Sequence, residues 1–154
     1  MATEIERKFL VKNDSWRAGA VGIAFRQGYL CAEPERTVRV RLEGGLGKLT
    51  VKGKSVGISR AEYDYVIPAD DAIEMLDRLC LRPLIEKTRY RIEHAGQVWD
   101  VDVFHSENSG LILAEIELES VDSLFALPDW VGAEVSADPR YFNSNLVKRP
   151  FSGW

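Results

Sequence analysis

Cysteine, histidine and methionine are nearly missing from this chain, with two of each in 154 residues. Cys31 and Cys80 stand alone with no CxxC pairing, which excludes a thiol redox motif and predicts reduced thiols. His94 and His105 are equally isolated and read as solvated or hydrogen-bonded histidines rather than zinc ligands. No apolar run approaches the roughly 20 residues of a membrane span. Charge appears within four residues of the start, where a signal peptide would carry an apolar stretch, so the expected location is the cytoplasm. A surplus of positive charge is lacking too. The formal net charge of -4 gives no bulk reason to expect nucleic acid or a membrane surface as a partner. A covalent nucleophile is not evident: Ser152 lies in FSGW, without a GxSxG context. The stretch GGLGKLT lacks P-loop spacing, because Leu49 follows Lys48, and reads as a hairpin turn.

What is present is alternation. No repeat, low-complexity segment or linker divides the chain, and its length suits one domain spanning residues 1–154. Strands are expected near 3–11, 24–32, 36–44, 47–55, 59–67, 84–95, 97–105 and 111–120. Glycine turns join several of them. A helix is expected near 70–80, from the helical spacing of Ile73, Leu76, Leu79 and Cys80, with Asp70 and Asp71 as capping candidates. DSLFALPDWVG reads as a short helix or turn interrupted by Pro128. SADPRYFNSNL reads as a last short helix, with Asp138 at its N-cap and Pro139 at the first helical position. The class is β-dominated α+β with an antiparallel sheet or barrel.

Charges fall on one parity of these strands and apolar residues on the other. Glu4, Glu6 and Lys8 sit two apart. So do Arg39 and Arg41, Lys52 and Lys54, Glu62 and Asp64, Lys87, Arg89 and Arg91, Asp100 and Asp102, and Glu115, Glu117 and Glu119. Successive side chains in a strand point to opposite faces, so most strands have one ionic face and one apolar face. A charged outside over an apolar core would explain any single strand. A solvated face, however, mixes neutral polar residues with both signs, whereas here the signs are segregated strand by strand. Closing the sheet with its ionic faces inward offers a different explanation. Such a lumen needs water, ion pairs, metals and a ligand, since unpaired charges in low dielectric would overwhelm the roughly 5–15 kcal/mol stability of a domain. Cations beside carboxylates suit a polyanion carrying hard divalent metals. A triphosphate, with roughly four negative charges near neutral pH, meets both requirements. Arginine suits phosphate through its permanently charged bidentate fork.

These residues resemble the CYTH superfamily, the triphosphate tunnel metalloenzymes. The resemblance rests on an ExExK motif, here Glu4-Ile5-Glu6-Arg7-Lys8. It continues in order through RVR, VKGK, RAEYDY, EKTRYRI, WDVDVF, LAEIELES and RYFNSNLVKRPF, covering essentially the whole chain. It is most similar to the compact members that hydrolyse inorganic tripolyphosphate. The resemblance implies a closed antiparallel eight-stranded barrel, a tunnel with an ionic lumen and helices packed outside, binding a triphosphate with Mg²⁺ or Mn²⁺. It implies metal carboxylates at Glu4, Glu6, Glu115 and Glu117, with Asp102 and Glu62 as further members. It implies a phosphate cradle of Lys8, Arg39, Arg41, Lys52, Lys87 and Arg89, with Lys54 and Arg91 at a tunnel mouth. Tyr29 matches a family tyrosine near the reacting water, and a purely hydrogen-bonding role for it is as consistent, because a phenol of ordinary pKa near 10 is a poor base. The same tunnel would serve a class IV-type adenylate cyclase, a nucleoside or thiamine triphosphatase, or a non-catalytic polyphosphate-binding module. The apolar faces of 99–103 and 112–118 are expected outside the lumen, covered by the helix, the C-terminal segment or a second subunit, which leaves room for a homodimer. Trp130, Phe142, Phe151 and Trp154 are expected to be covering residues.

Overall fold

The computed structural model describes residues 2–154. The alternating segments form nine strands: β1 Thr3–Val11, β2 Gly22–Glu33, β3 Arg36–Glu43, β4 Leu46–Gly53, β5 Ser59–Ile67, β6 Ile85–His94, β7 Gln97–Phe104, β8 Ile112–Glu117 and β9 Val131–Glu134. Two α-helices, α1 Ala69–Arg78 and α2 Asn143–Lys148, complete the regular structure. Tight turns connect neighbours. Between β6 and β7, Ala95 and Gly96 both have positive φ (50° and 77°), the conformation that lets a two-residue turn follow the twist of its strands.

The hydrogen-bonded order is β5-β4-β3-β2-β6-β7-β8-β1, and β1 returns to β5 through Thr3↔Ala61, Glu4↔Arg60 and Ile5↔Ser59. Every neighbouring pair is antiparallel. Eight strands therefore close into a ring, as expected. The ninth, β9, was not expected as a strand. It pairs with the edge of β1 opposite β8, since Phe9 faces both Ala114 and Glu134.

Ring closure turns one parity of each strand inward and leaves the apolar parity outside, where two clusters cover it, while a third closes one end of the interior. Phe9, Trp99, Val101, Ala114, Ile116 and Leu118 pack with Trp16, Phe125, Trp130 and Val131. This corrects the expected cover: the face of β7 and β8 is sealed by the 3-10 turn Ser15–Arg17 and the irregular segment 118–130, not by α1 or the C-terminal segment. The segment DSLFALPDWVG contains no helix. Helix α1 lays Ala72 and Leu76 on Val40, Leu42, Leu49 and Ile67 of β3, β4 and β5. Asp70 and Asp71 do not cap it. Pro68 is the N-cap, without a side-chain cap bond, and the aspartates sit in the first turn, where the helix dipole favours them. Asp138 does cap, accepting a hydrogen bond from the Arg140 backbone N–H, but over a separate 3-10 turn, Pro139–Tyr141. After that turn Phe142 is extended and α2 begins at Asn143, so the expected single helix is two. Its Leu146 and Val147 pack with Tyr29, Ile85, Phe104, Leu113 and Tyr141. Trp130 is a covering residue as expected, and Phe151 packs at the edge of this last cluster. Trp154 stacks at the surface on Tyr141 and Phe151.

Gly47 marks where α1 meets the ring. A Cβ there would lie 2.9 Å from the Ile67 carbonyl oxygen and 3.1 Å from the Ala72 Cβ. Gly47→Ala is expected to cost about 1–3 kcal/mol by overpacking, measured by urea unfolding. Gly45→Ala, whose Cβ meets nothing within 4 Å, should be close to neutral.

Candidate active site

The inward parity encloses a cavity of about 290 Å³. Ring order converts the strand-by-strand segregation of charge into two walls. β7, β8, β1 and β5 are adjacent and present Asp100, Glu115, Glu117, Glu4, Glu6, Glu62 and Asp64. β4, β3, β2 and β6 form the opposite half and present Lys48, Lys52, Arg39, Arg41, Lys87, Arg89 and Arg91. Three residues break the pattern: Lys8 of β1 and Arg60 of β5 are cations on the acidic wall, and Glu43 of β3 is an acid on the basic wall, paired with Arg41 and Lys48.

Ion pairs stitch the walls where they meet. Across the β6–β7 junction, Arg89 grips Asp102 with two bonds of 2.7 and 2.9 Å, and the Lys87 ammonium lies 2.7 Å from Asp102 Oδ2. At the other junction, the Lys52 ammonium lies 2.6 Å from Glu4 Oε2 and 3.3 Å from Glu62 Oε2. Lys8 Nζ is 3.7 Å from Glu115 Oε1 and donates to the Tyr141 carbonyl at 3.1 Å. On the basic wall, Arg39 donates to the Thr50 hydroxyl, which donates to Asp64. The Phe25 ring lies under Arg41 and Arg89, each 4.9 Å from its centroid.

Enclosure shifts the ionisation of both walls. Burial, reinforced by the carboxylates of Glu115 and Glu4, raises Glu6 well above the usual carboxylate range. Burial and the adjoining Glu4 push Glu62 up to about 7. Burial also opposes ionisation of Glu4, but Lys52 holds it well below the usual range. Lys8 and Arg89 do the same for Glu115 against its burial. On the basic side, burial pushes Lys87 down to about 7 against the pull of Asp102, with Arg89 and Arg41 adding repulsion. Burial and the neighbouring guanidiniums of Arg39 and Arg89 lower Arg41 to about 10.

Most of the expected site residues therefore meet in one cavity: Glu4, Glu6, Lys8, Tyr29, Arg39, Arg41, Lys52, Glu62, Lys87, Arg89, Glu115 and Glu117 all line it. Asp102 does not, which corrects its place among the metal carboxylates. It is fully buried with both oxygens bound to Arg89 and Lys87, and it anchors the cradle from behind. Glu117 is exposed at the rim, as is Arg91. Lys54 is exposed and does not line the cavity. Phe142 lines the cavity instead of covering an outer face. Tyr29 is buried with its ring in the apolar cluster under α2, beside Lys8. Phe25 and Asn143, which line the cavity, and Gln27, which is fully buried behind it, were not anticipated. Phe25 and Gln27 share the parity of Tyr29 on β2, and that parity was the available signal. Asn143 carries no such signal, because only the docking of α2 brings it to the cavity.

The carboxylates supply oxygen donors alone, the set that hard divalent cations prefer. Crowding of Glu6 between Glu4 and Glu115 is the condition a cation relieves. Among the described residues, no group of three or more potential ligands is already drawn into a metal cage, and the Lys52 ammonium sits between Glu4 and Glu62. The donor chemistry thus fits a divalent metal.

Asp102→Ala would strand two buried cations. It is expected to cost about 3–5 kcal/mol in urea unfolding, the penalty for removing one partner of a buried ion pair. Asp102→Asn keeps the shape and one acceptor oxygen but sets its amide nitrogen against a cation that can only donate, so it should also destabilise, by less than Asp102→Ala.

A family model described as the CYTH domain matches residues 2–151. A protein of Acetivibrio thermocellus named inorganic triphosphatase is 50% identical over 154 residues, which is 100% of this chain and 99% of that one. A Nitrosomonas europaea protein of the same name is 38% identical over 150 residues, covering 94% and 97% of the two chains. A crystal structure of an inorganic triphosphatase superposes with a TM-score of 0.66 at 35% identity, over 96% of this chain and 95% of the other. With its closed ring, its two charged walls and similarity along nearly its whole length, this chain belongs to the CYTH domain family.

Proposed function

We propose that this protein is a metal-dependent inorganic triphosphatase that splits tripolyphosphate into pyrophosphate and phosphate by in-line attack of water. The observation that carries this reading is the facing of a carboxylate wall and a cationic wall across one cavity of about 290 Å³. The names of the two relatives point the same way.

Arg39, Arg41, Lys52, Lys87, Arg89 and Lys8 bind the phosphoryl oxygens and hold the chain extended, so that a water at one end lies in line with the breaking P–O bond. Positioning and charge neutralisation of this kind supply most of the rate in phosphoryl transfer. An arriving polyanion also restores the full charge that burial denies Lys87 and Arg41. Glu4, Glu6, Glu115 and Glu117, with Glu62 beside them, would hold Mg²⁺ or Mn²⁺. When bound, the metal supplies neutralisation of phosphate charge and a lowered pKa for a coordinated water. Tyr29 lies beside Lys8 at the end closed by α2, and in this reading it would take the proton of the attacking water. Among the described residues, no helix is long and apolar enough to cross a membrane.

The decisive assay is phosphate release from tripolyphosphate with Mg²⁺ or Mn²⁺. EDTA should abolish it, and Glu4→Gln, Glu6→Gln and Lys8→Ala should each lower kcat/KM by about 100-fold or more. Release undiminished in EDTA would overturn the proposal, as would cyclic AMP from ATP as the main product of a substrate panel. Tyr29→Phe should lower kcat with little change in KM; unchanged kcat would remove Tyr29 from the chemistry.

Proton linkage gives an independent test of the metal site. Glu62, at about 7, and Glu6 bind protons in the folded protein that the unfolded chain releases near its ordinary value of 4.5. Stability of the metal-free protein should therefore fall as pH rises from about 5 to about 7. Glu4 and Glu115 titrate below this window, and Lys87 opposes the trend only above it. A bound divalent cation replaces those protons, so Mg²⁺ should flatten the slope. Melting temperature across this range, with EDTA and with Mg²⁺, is the measurement; a metal-free Tm that rises with pH contradicts the assignment.

A further inference from the structure

Behind the basic wall runs a chain of hydrogen bonds that the proposed chemistry does not use. Arg41 Nε donates to Gln27 Oε1 at 2.9 Å. Gln27 Nε2 donates to Asn143 Oδ1 at 3.2 Å, and Lys87 Nζ donates to the same oxygen at 3.1 Å. The two cations fix the orientation of both amides. Neither a guanidinium nor an ammonium has a lone pair to offer, so each must meet an amide oxygen. The Gln27 oxygen therefore faces Arg41, its amide nitrogen faces Asn143, and two donors converge on Asn143 Oδ1.

This leaves Asn143 Nδ2 outside the chain. Among the described residues, it has no protein acceptor within hydrogen-bond distance, although the side chain lines the cavity between Phe142 and Ser144. Two N–H donors beside Lys87, in a cavity shaped for a polyanion, have an anionic oxygen as their natural acceptor. A neutral donor also suits this position. A further cation would add to the repulsion already felt by Lys87 and Arg41, whereas an amide attracts phosphate without that cost.

We propose that Asn143 is a further substrate-contacting residue, its Nδ2 donating to a phosphoryl oxygen of the group that Lys87 and Arg41 hold. The inference rests on the triphosphate reading of the cavity. It makes α2, whose Leu146 and Val147 are buried under the ring, part of the substrate site as well as a cover.

The test separates contact from mere anchoring. Asn143→Asp keeps an oxygen for Lys87 and Gln27 but replaces the free donor by an acceptor. Asn143→Ala removes both functions without adding charge. Ser144→Asp places the same negative charge on the cavity lining while leaving Asn143 intact. Inorganic tripolyphosphate is titrated into each metal-free protein by calorimetry, with melting temperature as the check on folding. Asn143→Ala and Asn143→Asp should weaken binding about tenfold or more, Asn143→Asp more than Ser144→Asp, with Asn143→Asp melting near the wild type. Binding of Asn143→Asp within twofold of wild type, or no weaker than that of Ser144→Asp, overturns the inference. Phosphate release is followed in parallel. A wild type that binds without turnover overturns the triphosphatase reading while the titrations still judge Asn143; a wild type that neither binds nor, with Mg²⁺, releases phosphate overturns both.

Discussion

Charge enclosed by protein must be answered by opposite charge within a few ångströms, or it neutralises itself by gaining or losing a proton. The whole interior of this ring is arranged around that demand. At the two junctions between walls the answer is direct: Asp102 serves Arg89 and Lys87, and Lys52 serves Glu4 and Glu62. Even with these pairs it is incomplete. Lys87 and Arg41 are displaced toward neutrality on one wall, Glu6 and Glu62 on the other. Each wall lacks the opposite charge that its own ligand would bring. A polyanion completes the first, a divalent cation the second, and a metal-bound polyphosphate completes both at once.

The outside obeys a different rule. Its apolar parity is sealed in two patches by unrelated pieces of chain, a 3-10 turn and an irregular segment over β7 and β8 and α1 over β3 to β5, while α2 closes the end of the interior near Tyr29. These covers hold the strands rigid, and rigidity is what lets charged side chains act as preorganised donors instead of relaxing around a ligand. Lys87 shows the connection. Its ammonium is fixed by Asp102 from the ring and by Asn143 from α2, so two layers of the structure set its position.

Much of this was legible in the order of residues, for a physical reason. A period of two is strict in a strand, so Glu4, Glu6 and Lys8, or Arg39 and Arg41, had to share a face whatever the tertiary structure. Their gathering in one cavity follows once the sheet closes. Asp102 misled because parity gives the face of a side chain and not its depth. It lies on the inward face, yet two cations cover it. The strand β9 and the cover at Trp16 and Phe125 were missed because irregular segments are shaped by what they pack against and carry no period of their own. Asn143 lies beyond sequence reasoning for the same reason.

One feature of the ring bears on when it is stable as well as how. Its final closure, β1 against β5, spans only the three residue pairs from Thr3 to Ile5, after which β9 takes its place along β1. Glu4 sits in the middle of that short seam, reaching across to Lys52. A ligand held by Glu4 and by the cations of β3 and β4 would span the seam and bind only the closed form. By linkage it acts as a clasp, and the integrity of the ring becomes a function of ligand concentration. In this sense the active site and the last stitch of the fold are the same place.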